Sequence, residues 1–239
     1  LSTNTVGSRS IAIGANALLR QNPGSAADMY NVAIGHNTGE FISTGIDNTL
    51  VGGLAGDALT TGFKNVAIGS SALGSDDVGA GHIAIGGNAL VSQNFASVNN
   101  EFEANISIGN KSSHNNTTGN MNVVIGTAAK YTDDTGNQTT AIGHQAMYSQ
   151  NMASSVTTAN VGVGHKVGYY NVTGTQNTWL GYQAGAGASG QSNSSNVGVG
   201  YQALTSVTTG GSNVAIGKSS STALTTGLGN VSIGASANE

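Results

Sequence analysis

A triplet of Ile, Val or Thr, then mostly Ala, Gly or Ser, then Ile, Val or Leu, closed by glycine, recurs thirteen times along the 239 residues. The copies end at Gly14, Gly35, Gly52, Gly69, Gly86, Gly109, Gly126, Gly143, Gly164, Gly181, Gly200, Gly217 and Gly234. Eight of the twelve intervals are 17 residues, and the others are 19, 21, 21 and 23. The parent period is therefore 17, and every insertion is even. A unit this short buries no core alone, whereas stacked copies do. The chain is predicted to be all-β, a parallel β-solenoid of about thirteen 17-residue rungs forming one repeat domain.

The triplet alternates with period two and is rich in Val and Ile, the pattern of a short strand. One face carries two aliphatic side chains and the other a single Ala, Gly or Ser. Glycine then ends the strand, at positive φ or where a Cβ would clash. Asn opens ten of the thirteen segments and is placed to form stacked amide ladders. Ala fills the third position after the glycine in nine repeats, with Leu after it at Leu18, Leu73, Leu90 and Leu204. This Ala-Leu step reads as a second short strand. The small residues opposite Val and Ile predict a second surface packed close to them, which a homo-oligomer supplies.

Composition narrows the function classes. Only 8% of residues are charged and the net charge is −4, so nucleic-acid binding has no electrostatic support. The absence of Cys removes disulfides and thiolate metal sites. No apolar run is long enough to span a membrane. The start at Leu1 reads as a segment of a longer or processed polypeptide.

The Asn-Val-Ala-Ile-Gly strand, its Ala-Leu step and a Thr-Thr-Gly turn resemble the head repeats of trimeric autotransporter adhesins. The 17-residue form, as from Asn196 to Ser212, is closer to repeats of phage tail-fibre proteins. The resemblance covers essentially the whole chain. It implies a homotrimer of left-handed β-rolls, with Val and Ile inside each roll and small residues near the shared interface. It also implies an extracellular place, as a virion appendage or on a cell surface, and attachment to a host receptor or glycan. The alternatives are a bacterial adhesin head and a passive spacer fibre.

Residues suited to chemistry are few. Gly217-Lys218-Ser219 imitates the end of a phosphate loop, but Ser212 stands where that loop needs Gly. His36, His144 and His165 each follow a repeat glycine and read as solvated or interface histidines rather than metal ligands. Asp76-Asp77 and Asp133-Asp134 read as solvated turns. No carboxylate pair or Ser/His/Asp spacing points to catalysis. The expectation is a non-enzyme without cofactor or metal.

Recognition falls to the places that break the pattern. Three insertions carry Gln21-Asn22, Gln93-Asn94 and Gln150-Asn151, with Ser25, Ser97 and Ser154 three residues beyond each Asn. Pro23, Phe95 and Met152 follow each pair and either staple the loop to the roll or form a lateral binding ridge. Tyr169, Tyr170, Trp179, Tyr182 and Tyr201 form an aromatic cluster suited to sugar binding. Trp179 stands at a small-residue position, so its ring either packs into a locally wider gap or serves the same surface.

Overall fold

The computed structural model describes residues 4–95 and 103–238. Ser97 of the second insertion lies outside them. The chain divides into two compact units, Leu1–Met121 and Asn122–Glu239. In the first lie β1 (Gly7–Ser8), β2 (Ile11–Ile13), β3 (Ala27–Asp28), β4 (Val32–Ile34), β5 (Thr49–Val51), β6 (Val66–Ile68), β7 (Ile83–Ile85) and β8 (Ile106–Ile108). In the second lie β9 (Val123–Ile125), β10 (Thr140–Ile142), β11 (Val161–Val163), β12 (Thr178–Leu180), β13 (Val197–Val199), β14 (Val214–Ile216) and β15 (Val231–Ile233). Among the described residues no helix is long and apolar enough to cross a membrane.

Each three-residue strand is the triplet read from the sequence, and each unit is a parallel β-solenoid with one such strand per coil. In the first unit Val32 pairs with Thr49, Thr49 with Val66, and Val66 with Ile83. In the second Thr140 pairs with Val161, Val161 with Thr178, and Thr178 with Val197. Equivalent repeat positions stay in register even across insertions, as in Ile83 with Ile106. A second, shorter parallel pairing joins β1 to β3, and single parallel bridges at the matching place join Phe63 to Ala80, Asn137 to Thr157 and Gly211 to Leu228.

The predicted second strand is instead a run of turns. Residues two and four past each glycine adopt left-handed backbone, for example Ser71 (φ 54°) with Leu73 (φ 53°), and Gln202 (φ 56°) with Leu204 (φ 53°). Such conformations cost an L-residue roughly 1–2 kcal/mol each. They direct successive peptide groups to the coils on either side. Leu18 N–H donates to the Thr38 carbonyl at 3.1 Å, and Asn37 N–H to Ala15 at 2.9 Å. Stacking thus satisfies the backbone without β geometry.

The faces are also reversed relative to expectation. The middle residue of the strand points inward: Ala33, Ala67, Ala84, Ala141 and Ala215 are fully buried. The flanking aliphatics point outward, with Ile68 37% and Ile216 38% exposed. The alanines at Ala55, Ala72, Ala129 and Ala203 are buried too. Alternation tells which residues share a face, not which face is inside. Volume decides it, because the leucines of the turn run, such as Leu18, Leu73 and Leu90, are buried in the same core and leave room for only a small side chain from most strands.

Leu50, Val124 and Trp179 stand at middle positions where small residues are the rule, and the two largest are each accommodated by two glycines. Leu50 and Trp179 are both fully buried. A Cβ on Gly39 or Gly56 would lie 2.9 Å from Leu50, and one on Gly168 or Gly185 would lie 2.3 Å from Trp179. These four glycines stand at the position that Leu73, Leu90 and Leu204 hold in other coils.

The asparagine ladder forms inside the coils. Asn48 Nδ2 donates to Asn31 Oδ1 at 3.1 Å and to the Gly62 carbonyl at 2.9 Å. Asn65, Asn177, Asn213 and Asn230 repeat the side-chain link to the preceding Asn. Three segments open with Ser10, His82 or Thr139 instead, and these are the coils that carry the three longest insertions. There the insertion glutamine supplies the missing acceptor. Gln21 Oε1 accepts from Asn31 at 3.1 Å, Gln93 Oε1 from Asn105 at 3.0 Å, and Gln150 Oε1 from Asn160 at 3.1 Å.

Candidate functional site

Because coils stack in register, surface residues at one repeat position line up as columns. Directly after the glycine, the second unit places His144, His165, Tyr182 and Tyr201 in four successive coils. Their rings stack at 5.2, 5.2 and 5.1 Å, within 19° of parallel. Tyr182 and Tyr201 are exposed, although Tyr182 is stacked between His165 and Tyr201.

Five residues past the glycine a second column runs Tyr131, Tyr148, Tyr169, with both spacings 5.2 Å. The next coil has Ala186 at this position, so the column stops. Tyr170 turns edge-on to Tyr169, with centroids 4.6 Å apart and planes at 84°. Burial, then Tyr148 and Tyr170, hold the Tyr169 phenol above its ordinary pKa. At the end of this column a surface pocket of about 110 Å³ opens, lined by Lys166, Tyr169, Tyr170, Gln183 and Ala186.

The polar rim is fixed by the coil backbone. Lys166 and Gln183 occupy the left-handed position two past their glycines, with φ 50° and 54°. Lys166 Nζ sits 5.3 Å from the centre of the Tyr169 ring. Gln202 Nε2 donates to Gln183 Oε1 at 3.0 Å, which leaves the Gln183 NH₂ as a donor. The pocket thus brings a cation, an amide donor and two aromatic rings together.

Of the residues expected to bind, Tyr169 and Tyr170 form this pocket, and Tyr182 and Tyr201 line the neighbouring column. Trp179 does not belong to the surface. Its ring is wholly inside the coil, in the space that Gly168 and Gly185 leave, and no ligand reaches it there. Met152 is 4% exposed, and its N–H donates to Asp133 Oδ1 at 3.2 Å, so it staples its loop rather than forming a ridge. Phe95 stacks on His82 at 5.6 Å and serves the same purpose. Lys166, Gln183 and Ala186 were not anticipated. Aligning the repeats by column exposes them, because the Tyr131–Tyr148–Tyr169 series breaks at Ala186.

The acidic turns are not solvated, since Asp76 and Asp133 occupy an inner position and are fully buried. Asp76 Oδ1 accepts the Gly79 N–H at 3.0 Å, and Asp133 Oδ1 that of Gly136 at 3.1 Å. Burial pushes Asp76 up to about 7 and pushes His82, 3.5 Å away, down to about 4. Asp133 faces the buried Lys130 Nζ at 3.1 Å. Burial lowers Lys130, whereas for Asp133 it is outweighed by Lys130, Gln150 and the Met152 amide, which hold the carboxyl below its usual range. Closed off from solvent, these pairs shape the interior. Among the described residues no group of three or more His, Asp or Glu is placed to hold a metal ion.

Comparison with family models, with curated proteins and with solved structures gives no match.

Proposed function

We propose that the chain is a structural and adhesive fibre segment, the shaft of a viral tail fibre or similar appendage, that assembles as a homotrimer of left-handed β-rolls and attaches to a host surface. The observation that carries this reading is the outward ribbon of Val, Ile and Leu. One or two aliphatic side chains per coil stand on the outer face, and Ile34, Ile68, Val161, Leu180 and Ile216 are all exposed. Contiguous apolar ribbons of this kind mark association surfaces. In a shaft built from copies of one chain, equivalent ribbons cover one another.

Rigidity supports the same reading. Backbone bonds and the buried Asn ladder hold each coil to the next, and the pocket and aromatic columns lie on that scaffold as recognition features do. The 17-residue repeat length favours the viral setting over a bacterial adhesin head.

Sedimentation equilibrium at micromolar concentration is expected to give three chain masses. The labelled chain is expected to bind saturably to cells within a panel of bacterial strains. A monomer at every concentration sinks the assembly, and a trimer that binds no strain leaves a passive spacer.

A further inference from the structure

The second tyrosine column ends one ring short. Tyr131, Tyr148 and Tyr169 repeat at 5.2 Å, and the next place holds the methyl group of Ala186. The pocket is lined both by Tyr169, the last ring of the column, and by Ala186, which holds the next place. A flat ring entering it stacks on Tyr169 and meets Tyr170, whose plane lies at 84° to that of Tyr169. At about 110 Å³ it is smaller than the ~300–1,000 Å³ of sites for drug-sized ligands. It therefore takes one ring of a longer chain rather than a whole ligand.

The rim chooses the charge of that ring. Lys166 has no carboxylate within salt-bridge distance among the described residues, and its ammonium leans over the Tyr169 ring. Gln183 has its Oε1 occupied by Gln202, so its Nε2 is left as a donor. Lys166 and Gln183 can thus both donate, and Lys166 is cationic. No Asp or Glu lies between Asp134 and Glu239 in the sequence. An anionic acceptor on the ring satisfies both donors at once, and charge-assisted bonds are the stronger kind.

We propose that this pocket binds a carboxylated pyranose, a uronic or sialic acid residue of a surface glycan, with the sugar ring on Tyr169 and Tyr170 and the carboxylate on Lys166 and Gln183. The inference rests on the adhesive reading above and names the ligand class of its contact. Carbohydrate faces carry C–H groups that pack on aromatic rings, which leaves the carboxylate at the rim.

Isothermal titration of the assembled chain tests it with three probes: methyl β-glucuronide, methyl α-sialoside and methyl β-glucoside. The glucoside matches the glucuronide except that hydroxymethyl replaces the carboxylate. At least one acidic probe is expected to bind with Kd on the order of 1 mM, as suits one ring and one charge. The neutral probe is expected to be at least tenfold weaker. Lys166→Gln removes that preference and leaves weak binding of the glucoside. Ala186→Tyr completes the column, raises the melting temperature and abolishes binding of all three probes. Should Ala186→Tyr fail to fold, the surface variants Lys166→Gln and Gln183→Ala decide the matter.

Equal binding of acidic and neutral probes overturns the assigned charge. Binding that survives in a folded Ala186→Tyr protein overturns the site. No binding by any probe overturns the inference as a whole. Trimer mass and cell attachment, measured on the same preparation, separate these failures from failure of the adhesive reading.

Discussion

Lys130 is fully buried at the coil position that Leu73, Leu90 and Leu204 hold elsewhere, with Asp133 as its ion partner at 3.1 Å. Removing one member of a buried pair strands the other charge, at about 3–5 kcal/mol. Lys130→Leu is therefore expected to lower stability by that order in urea titration. The double variant Lys130→Leu/Asp133→Asn is expected to be more stable than the single one, because Asn carries no charge and still accepts the Gly136 N–H. The second pair, Asp76 and His82, is read through pH. Asp76, pushed up to about 7, keeps its proton in the fold from about pH 4 to 7, where the unfolded chain has lost it. Rising pH then removes stability. His82, pushed down to about 4, stays neutral in the fold while the unfolded imidazole is charged up to about pH 6.5, so rising pH adds stability. The slopes oppose and nearly cancel between about pH 4 and 6.5. In Asp76→Asn stability is expected to rise with pH across that window, and in His82→Asn to fall. Urea midpoints at three pH values check both signs, and parallel curves for the two variants would refute the assignment. None of this was legible in Asp76-Asp77 or Asp133-Asp134 as sequence. Burial depends on a column position, and the chain shows charge there without showing which way it points.

The strand-ending glycine was legible, and it states a strong constraint. Gly69 has φ +132°, and a Cβ on it would stand 2.6 Å from the Gly86 carbonyl. Gly69→Ala is expected to cost about 3 kcal/mol or more, since strain and backbone clash act together. Gly24, which has open space around it, serves as the comparison site. The thirteen strands, their register and the Asn ladder also followed from the repeat, because each is fixed by one residue type at one spacing. Which face is inner did not follow, nor did the turn geometry after the glycine. Both depend on how the turn run packs against the strand, and hydrophobicity alone pointed to Val and Ile. The clue lay in paired exceptions: Leu50 with Gly39 and Gly56, Trp179 with Gly168 and Gly185. Trp179→Ala is expected to cost about 3–5 kcal/mol by leaving a cavity. Adding Gly168→Leu and Gly185→Leu is expected to restore part of it. Both sites already have φ near 55°, the conformation that Leu73 and Leu204 adopt.

Each unit combines a filled interior with an outer face it leaves uncovered, and the two parts predict different responses to the same charge. Ala67 is wholly inside, whereas its neighbour Ile68 is 37% exposed. Ala67→Lys forces an ammonium into the coil and is expected to unfold the chain at any concentration. Ile68→Lys together with Ile216→Lys touches only the ribbon, one position in each unit. On a single chain such surface changes alter stability by about 0.5 kcal/mol or less. On an assembly they bring like charges from equivalent ribbons together and desolvate them. The double variant is therefore expected to keep its β circular dichroism but sediment as a monomer. Its melting temperature is expected to be independent of concentration, while that of the parent chain rises with concentration, as linkage to assembly requires. If the double variant sediments like the parent, the ribbons are not where the chains meet.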